Sequence, residues 1–250
     1  MKDDELNANP LAQLRQFTDA RIAIGRAGTS IPIKQSLAFN LAHAHARDAV
    51  YSTFDTETLT NNLTLFNLPV LQVQSEANNR HKYLKRPDLG RKLNEASKAL
   101  LDDYAGVADV ALIIADGLSA EAVNENAFAL FNHLIPMLTV AKFTLAPITL
   151  VEQGRVAIGD EIAHRLNAKL SVVFIGERPG LSSADSMGAY LTYNPKPGLT
   201  DESRNCVSNI RPQGLKYKPA AEKIFYLISE AFKRKLSGVE LKDNSGLIGH

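Results

Sequence analysis

The sequence has no tryptophan, a single cysteine and no excess of charge of either sign. Cys206 cannot form an internal disulfide, which favours a reducing, cytoplasmic environment. The 28 Lys and Arg residues nearly balance the 27 Asp and Glu residues, so the basic surface of a nucleic-acid-binding protein is missing. With 250 residues, 45% of them hydrophobic, the chain is large enough to bury a core without a disulfide or a structural metal.

Long uninterrupted apolar runs are also missing. The most apolar stretch, residues 128–151, is broken by Pro136, Lys142 and Pro147. A membrane-spanning helix needs about 20 consecutive, mostly apolar residues. The acidic residues 3–5 stand where a secretory signal would carry positive charge. We therefore expect no membrane span and no secretory signal, and we expect residues 128–151 to form a buried helix end and a buried strand.

The short motifs of several enzyme classes are absent. No strand is followed by Gly-x-Gly-x-x-Gly, and neither a phosphate-binding loop, a Gly-x-Ser-x-Gly elbow nor a His-Glu-x-x-His zinc motif occurs. Glu161 and His164 have the Glu-x-x-His spacing of di-metal bundles, but such sites need a second copy. A solvated helix face is the favoured interpretation of this pair. The sequence therefore predicts no protein-ligated metal and disfavours a stand-alone hydrolase or dehydrogenase.

Strand and helix patterns alternate in the second half of the chain. The predicted elements are strand 107–115, a helix capped by Ser119 and limited by Pro136, strand 145–151, helix 156–166 and strand 170–175. Such a series forms a parallel sheet with right-handed crossovers and places ligands at the carboxyl ends of the strands. Those ends are the turns at Asp116, Glu152 and Glu177. The expected fold is α/β, a Rossmann-like parallel sheet with helices on both faces.

Three regions are expected along the chain. They are a mobile tail over residues 1–19, a helical N-terminal region over residues 20–105 and a Rossmann-like domain over residues 106–250. The N-terminal region is predicted to contain helix 36–51 with Leu37, Leu41 and Ala44 on one face, helix 56–65, a short strand at 69–73 and a helix starting at Pro87. Residues 181–219 look loop-rich, and a last helix starts at Pro219 and stops at Gly238.

Three features have both a structural and a functional interpretation. Residues 80–98 carry seven Lys or Arg against two acidic residues, and a solvated helix face is favoured over a docking surface. Glu177 is well placed to accept hydrogen bonds from a ligand, but a cap or an ion pair with Arg178 is equally consistent. Cys206 has no neighbouring His, so we expect a small packed residue and not a nucleophile.

Several ordered segments together resemble one known family, the small subunit of ethanolamine ammonia-lyase. The segments are residues 25–28, 41–50, 83–91, 115–120, 155–161, 176–181 and 205–210. The resemblance covers about residues 20–238 and is specific because the segments occur together and in order. Two departures are His45, where the family pattern suggests Arg, and Thr29, where it suggests Gly.

The resemblance implies an adenosylcobalamin-dependent lyase that converts ethanolamine to acetaldehyde and ammonia by a radical mechanism. A large subunit would hold the substrate and the catalytic groups, and this chain would bind the cobalamin, with no catalytic residue of its own. Carried over by motif, Val156, Glu177 and Cys206 are the expected cobalamin contacts. None of the six His lies in an Asp-x-His-x-x-Gly element, so base-on binding is expected. The complex would be cytoplasmic, and a bacterial microcompartment is a further location that the resemblance allows.

Two alternatives remain open at this point. One is a dinucleotide-binding oxidoreductase on a Rossmann-like sheet, against which the missing glycine fingerprint weighs. The other is a non-catalytic docking protein that uses the basic residues 80–98.

Overall fold

The computed structural model describes residues 12–18 and 20–242. The described helices are α1 (Ile33–Val50), α2 (Thr56–Leu63), α3 (Arg80–Lys85), α4 (Glu95–Asp103), α5 (Ala120–Val140), α6 (Ile158–Arg165) and α7 (Tyr217–Arg234). The strands are β1 (Val70–Gln74), β2 (Ala108–Ala115), β3 (Ile148–Glu152), β4 (Ala168–Gly176), β5 (Met187–Tyr193) and β6 (Arg204–Ile210). Most of the tail predicted over residues 1–19 lies outside the described residues.

The six strands form one sheet in the order β1-β3-β2-β4-β5-β6. The first four in this order run parallel, and β5 and β6 each pair antiparallel with their neighbours. The α/β class is confirmed, but the expectation of a wholly parallel sheet is wrong because the sheet is mixed. The parallel strands β1, β2, β3 and β4 end at the same edge, which is called the carboxyl edge below.

The two antiparallel strands lie in the segment predicted to be loop-rich. Pro195, Pro197 and Gly198 belong to the connection between β5 and β6, and Pro212 and Gly214 follow β6. The strands themselves are free of proline. In β5 the sequence Met-Gly-Ala-Tyr-Leu-Thr-Tyr carries the aromatic and β-branched residues that favour strands. The prolines therefore mark the ends of two strands, not one long loop.

Apolar side chains cover both faces of the sheet. On one face, α2, α5 and α7 pack over residues such as Leu112, Phe174 and Leu191. On the other face, α4 and α6 pack over Ile113 and Val173. The near-continuous apolar sequence of β2 and β4 follows from this burial on two sides. The prediction of helices on both faces is thus confirmed.

Several helix boundaries differ from those predicted, and α5 and α4 are the clearest cases. Helix α5 begins at its Ser119 cap but continues past Pro136 to Val140. Leu138, beyond the proline, is fully buried, and this packing offsets the backbone hydrogen bond that proline cannot make. The helix expected to start at Pro87 starts at Glu95, where the Asn94 side chain caps it by accepting from the N–H of Ser97 at 2.8 Å.

The strand predicted at residues 69–73 is confirmed as β1, and it pairs with β3. A strand from the predicted N-terminal region therefore belongs to the same sheet as the strands that follow residue 106. Among the described helices, none combines the length and the apolar character needed to cross a bilayer.

Candidate functional site

A cleft of about 390 Å³ opens at the carboxyl edge of the sheet. It is lined by Tyr83, Gly117, Leu118, Arg155, Val156, Ile175, Gly176, Glu177, Arg178 and Tyr190. These residues come from the turns after β2 and β3, from the end of β4 and the turn that follows it, from β5, and from α3. The cleft is therefore built by the strand ends at which a ligand site was expected.

Two glycines form the floor of the cleft where β2 and β4 end. Gly117 has a φ of +59°, and a Cβ at this position would lie 2.3 Å from the carbonyl oxygen of Gly176. A Cβ on Gly176 would lie 1.8 Å from the carbonyl oxygen of Ser119. The turns can approach this closely only because both residues lack a side chain. The N–H of Leu118 donates to the Gly176 carbonyl at 2.9 Å and joins the two turns.

Glu177 follows β4, and its side chain is half-buried in the cleft wall. Its Oε2 accepts from the hydroxyl of Ser186 at 2.5 Å and from the N–H of Asn209 at 3.3 Å. A Cβ on Gly188 would lie 2.9 Å from Oε1, so the residue at this strand position must be small to leave room for the carboxylate. Glu177 is thus held by the neighbouring strands and makes no ion pair with Arg178 among the described residues.

Asp116 is buried at the end of β2 and ties two turns together. Its Oδ1 accepts from the N–H of Gly154 at 3.0 Å, and Oδ2 lies 3.4 Å from the guanidinium of Arg80. Burial raises the pKa of Asp116 to about 6, although Arg80 and the backbone N–H groups oppose this shift. Asp116 therefore holds the turns after β2 and β3 together behind the cleft.

Two guanidinium groups lie against the ring of Tyr83. The Arg155 guanidinium is 4.2 Å from the ring centroid and that of Arg80 is 4.9 Å away. The hydroxyl of Tyr83 donates to the Gly154 carbonyl at 2.9 Å, and burial raises the pKa of this hydroxyl, which keeps the proton in place. The Nε of Arg155 is buried and has no hydrogen-bond partner among the described residues. Because this N–H is enclosed by protein, a ligand in the cleft does not reach it in this arrangement.

Cys206 lies beside the cleft on β6, opposite Tyr190 on β5. The Tyr190 side chain is half-buried, whereas the Cys206 side chain is exposed, so the expectation that Cys206 is a small packed residue is wrong. Desolvation raises the pKa of the Cys206 thiol, and the nearby Glu177 carboxylate raises it further. The sulfur therefore remains a neutral thiol at neutral pH, which argues against a nucleophilic role.

The structure brings the three sequence-predicted contacts into one region. Val156 and Glu177 both line the cleft, and Cys206 adjoins it through Tyr190. Sequence reasoning missed Tyr83 and Arg155, which lie far from Glu177 along the chain. Arg155 immediately precedes Val156, so its place in a strand-end turn was the available signal.

The other candidates have structural surroundings. The basic stretch 80–98 does not form one helix face, because Arg80 points inward to Asp116 and to the carbonyl of Gly117, at 2.8 Å. Glu161 accepts from the N–H of Leu93 at 3.0 Å, and His164 is exposed one turn later. Within residues 12–18 and 20–242, no cluster of three or more His, Cys, Asp or Glu residues has metal-binding geometry.

Comparison with known proteins gives one consistent result. The family model described as ethanolamine ammonia-lyase light chain (EutC) matches residues 8–242. Three curated relatives are each named ethanolamine ammonia-lyase small subunit. The protein of Azotobacter vinelandii is 52% identical over 241 residues, which cover 95% of this chain and 89% of the relative. The proteins of Pseudomonas fluorescens and Ralstonia nicotianae are each 51% identical, over 95% and 94% of this chain and 88% of each relative.

Proposed function

Because the chain belongs to the ethanolamine ammonia-lyase light-chain family, we propose that it is the cobalamin-binding small subunit of an ethanolamine ammonia-lyase. In this proposal a large subunit holds ethanolamine and the groups that act on it. The observation that carries the proposal is the convergence of Val156, Glu177 and Tyr190 on one cleft, with Cys206 alongside.

The chemistry of the cleft suits a corrin, which has a flat apolar face rimmed by amide groups. Val156 and the ring of Tyr190 offer apolar surface for that face. The Glu177 carboxylate can accept hydrogen bonds from amide N–H groups. One wall therefore supplies apolar surface for the corrin face and an acceptor for its amide rim.

The size of the cleft supports a cofactor site that is shared with a second protein. Pockets that enclose a drug-sized ligand have volumes of about 300 to 1,000 Å³. Adenosylcobalamin is larger than such ligands, whereas the cleft holds about 390 Å³. The chain can thus cover one side of the cofactor, and a second protein must cover the other.

The cofactor, when bound, supplies the carbon radical with which the conversion of ethanolamine to acetaldehyde and ammonia begins. The residues of this chain bind and orient it, and they help to exclude water from its covered face. The hydrogen-bonded Glu177 and the stacked Arg155 are already held in place, so little side-chain freedom is lost on binding. The absence of an Asp-x-His-x-x-Gly element supports base-on binding.

Dinucleotide binding is the weaker candidate. In that fold a helix N-terminus must lie open to receive a pyrophosphate. Here the N-terminus of α5 is closed, because Ser119 caps the helix and its hydroxyl also donates to the Ala184 carbonyl at 2.8 Å. Ser119, Ala120 and Ala122 are buried, which leaves no room for a phosphate.

Co-expression with the large subunit tests the proposal. We expect the purified pair to change the visible spectrum of added adenosylcobalamin and to form acetaldehyde from ethanolamine. The chain alone should show no turnover. Turnover by the chain alone, or a pair that neither binds cobalamin nor turns over ethanolamine, would overturn the proposal. Isotopically labelled histidine that gave nitrogen splitting in the cob(II)alamin EPR spectrum would refute base-on binding.

A further inference from the structure

Helix α1 presents an apolar face that no other described residue covers. Ile33, Leu37 and Leu41 follow one another at four-residue spacing and are 79%, 62% and 59% exposed. Ile31, just before the helix, is 61% exposed. Single exposed apolar residues are ordinary, but a row of them on one face marks an interaction surface.

The opposite side of α1 makes only light contact with the rest of the chain. Of its 18 residues only Ala49 is buried. A helix in a protein gains most of its stability by burying an apolar face. Here Ala42, Ala46 and Ala49 lie on the inward side, and the large side chains that could provide this stability face outward. The arrangement suits a helix whose main packing partner is another chain.

The charge of this region indicates the kind of partner. Residues 20–47 contain four cations and no Asp or Glu, the cations being Arg21, Arg26, Lys34 and Arg47. A second copy of the chain, docked symmetrically on this face, would bring these cations together. An apolar surface edged by carboxylates would complement both the apolar face and the charge.

The carboxyl end of α1 is fixed to the cleft. Arg80 donates through Nε to the Val50 carbonyl at 2.6 Å and through Nη1 to the carbonyl of Gly117 at 2.8 Å. Gly117 lines the cleft. A protein that closes the open side of the cleft therefore lies next to α1 and can continue along it.

We infer that the apolar face of α1, formed by Ile33, Leu37 and Leu41, is a docking surface for the large subunit, which meets it with an apolar surface edged by carboxylates. The identity of the partner rests on the proposed function. The position of the surface rests on the exposure, charge and anchoring of α1.

The test measures binding of the full chain to the full-length large subunit by titration calorimetry, with size-exclusion chromatography as a check. Leu37→Glu combined with Leu41→Glu should weaken the complex by at least about 100-fold. The matched control combines Val107→Glu and Val239→Glu. Both valines are exposed, at 81% and 71%, and lie away from the carboxyl edge, so the control should bind as the wild type does. Circular dichroism of each free variant verifies its fold.

A second variant tests the charge argument. Lys34→Glu combined with Arg47→Glu should slow association and reduce its dependence on salt, because rim charges act mainly on encounter. An unchanged association rate would contradict an acidic edge on the partner.

The outcomes separate the two claims. If the wild-type chains form no complex, the proposed function itself fails. If the complex forms and the Leu37 and Leu41 variant binds as tightly as the control, only the docking surface is overturned. If the chain alone forms a dimer that this variant abolishes, a second copy occupies the face and the inference is wrong.

Discussion

Arg204 and Asp160 form a buried, bidentate ion pair, with nitrogen to oxygen distances of 2.7 and 2.8 Å. Both side chains are 2% exposed. The pair joins β6 to α6, and Arg204 also donates to Thr192 on β5 at 3.0 Å. Because Arg204 lies two residues before Cys206 on the same strand face, the pair fixes the strand that carries the cleft's outer edge.

Loss of one member of this pair should be strongly destabilising. Asp160→Asn removes the buried counter-charge of the Arg204 guanidinium and leaves only the exposed Asp201, at 3.4 Å, which costs about 3–5 kcal/mol. The midpoint of urea unfolding measures the effect. The control is Asp102→Asn, which removes the more exposed partner of Arg165 and should cost at most about 1 kcal/mol. Equal losses in the two variants would contradict the buried role of Asp160.

The buried carboxyl of Asp116, whose nearest cation lies 3.4 Å away, should make stability depend on pH. Burial raises the pKa of Asp116 to about 6, above the value near 4 expected in the unfolded chain. The folded state therefore binds more protons between pH 4 and 6, and its stability falls as the pH rises through this window. Asp116→Asn removes the titration.

The comparison of the wild type with Asp116→Asn isolates this effect. The free energy of unfolding of the variant, relative to the wild type, should increase by up to about 3 kcal/mol from pH 4 to pH 7. Urea titrations at several pH values measure the difference. Parallel pH profiles would show that Asp116 ionises with an ordinary pKa.

The carboxylate in the cleft should affect cofactor binding more than folding. Glu177→Ala removes an acceptor, and cobalamin affinity of the subunit pair should fall by about 1–3 kcal/mol if a buried amide loses its partner. Glu152→Ala is the matched control, since this exposed residue ends β3 at the same edge of the sheet. Spectral titration of both variants measures the affinity, and equal affinities would refute the assignment of Glu177.

Gly188 should affect cobalamin binding through its contact with the Glu177 carboxylate. Gly188→Ala places a methyl group 2.9 Å from Oε1 of Glu177 and 3.1 Å from the Tyr190 ring. We expect weaker cobalamin binding, smaller in effect than that of Glu177→Ala, because the carboxylate is displaced but not removed. In the control, Gly106→Ala, the added carbon has no close neighbour. A variant that binds as the wild type does would show that the carboxylate can shift without loss.

The sequence predicted those parts of the fold that local patterns control. The apolar runs of β2 and β4 and the cap at Ser119 identified their elements correctly. The antiparallel strands β5 and β6 were missed because prolines and glycines flank them, and their pairing with β4 depends on distant residues.

The candidate site was likewise only partly predictable from the sequence. Glu177 follows from its strand-end turn, whereas Val156 and Cys206 came only from the resemblance. Tyr83 could not be recognised from the sequence, because its role depends on two guanidinium groups that only the folded chain brings to its ring.

Cys206 should behave as an accessible but slowly reacting thiol. It is the only cysteine in the chain, so a thiol reagent such as Ellman's reagent reports on this one position. Because the pKa of the thiol is raised by desolvation and by Glu177, reaction should be slow at pH 7 and accelerate as the pH is raised. Bound cobalamin in the subunit pair should protect the thiol, whereas ethanolamine alone should not.

Cys206→Ser should change cobalamin affinity by less than about 1 kcal/mol, because it replaces a surface side chain with one of similar size. A serine variant that bound cobalamin normally but lost all turnover would show that the thiol takes part in the chemistry.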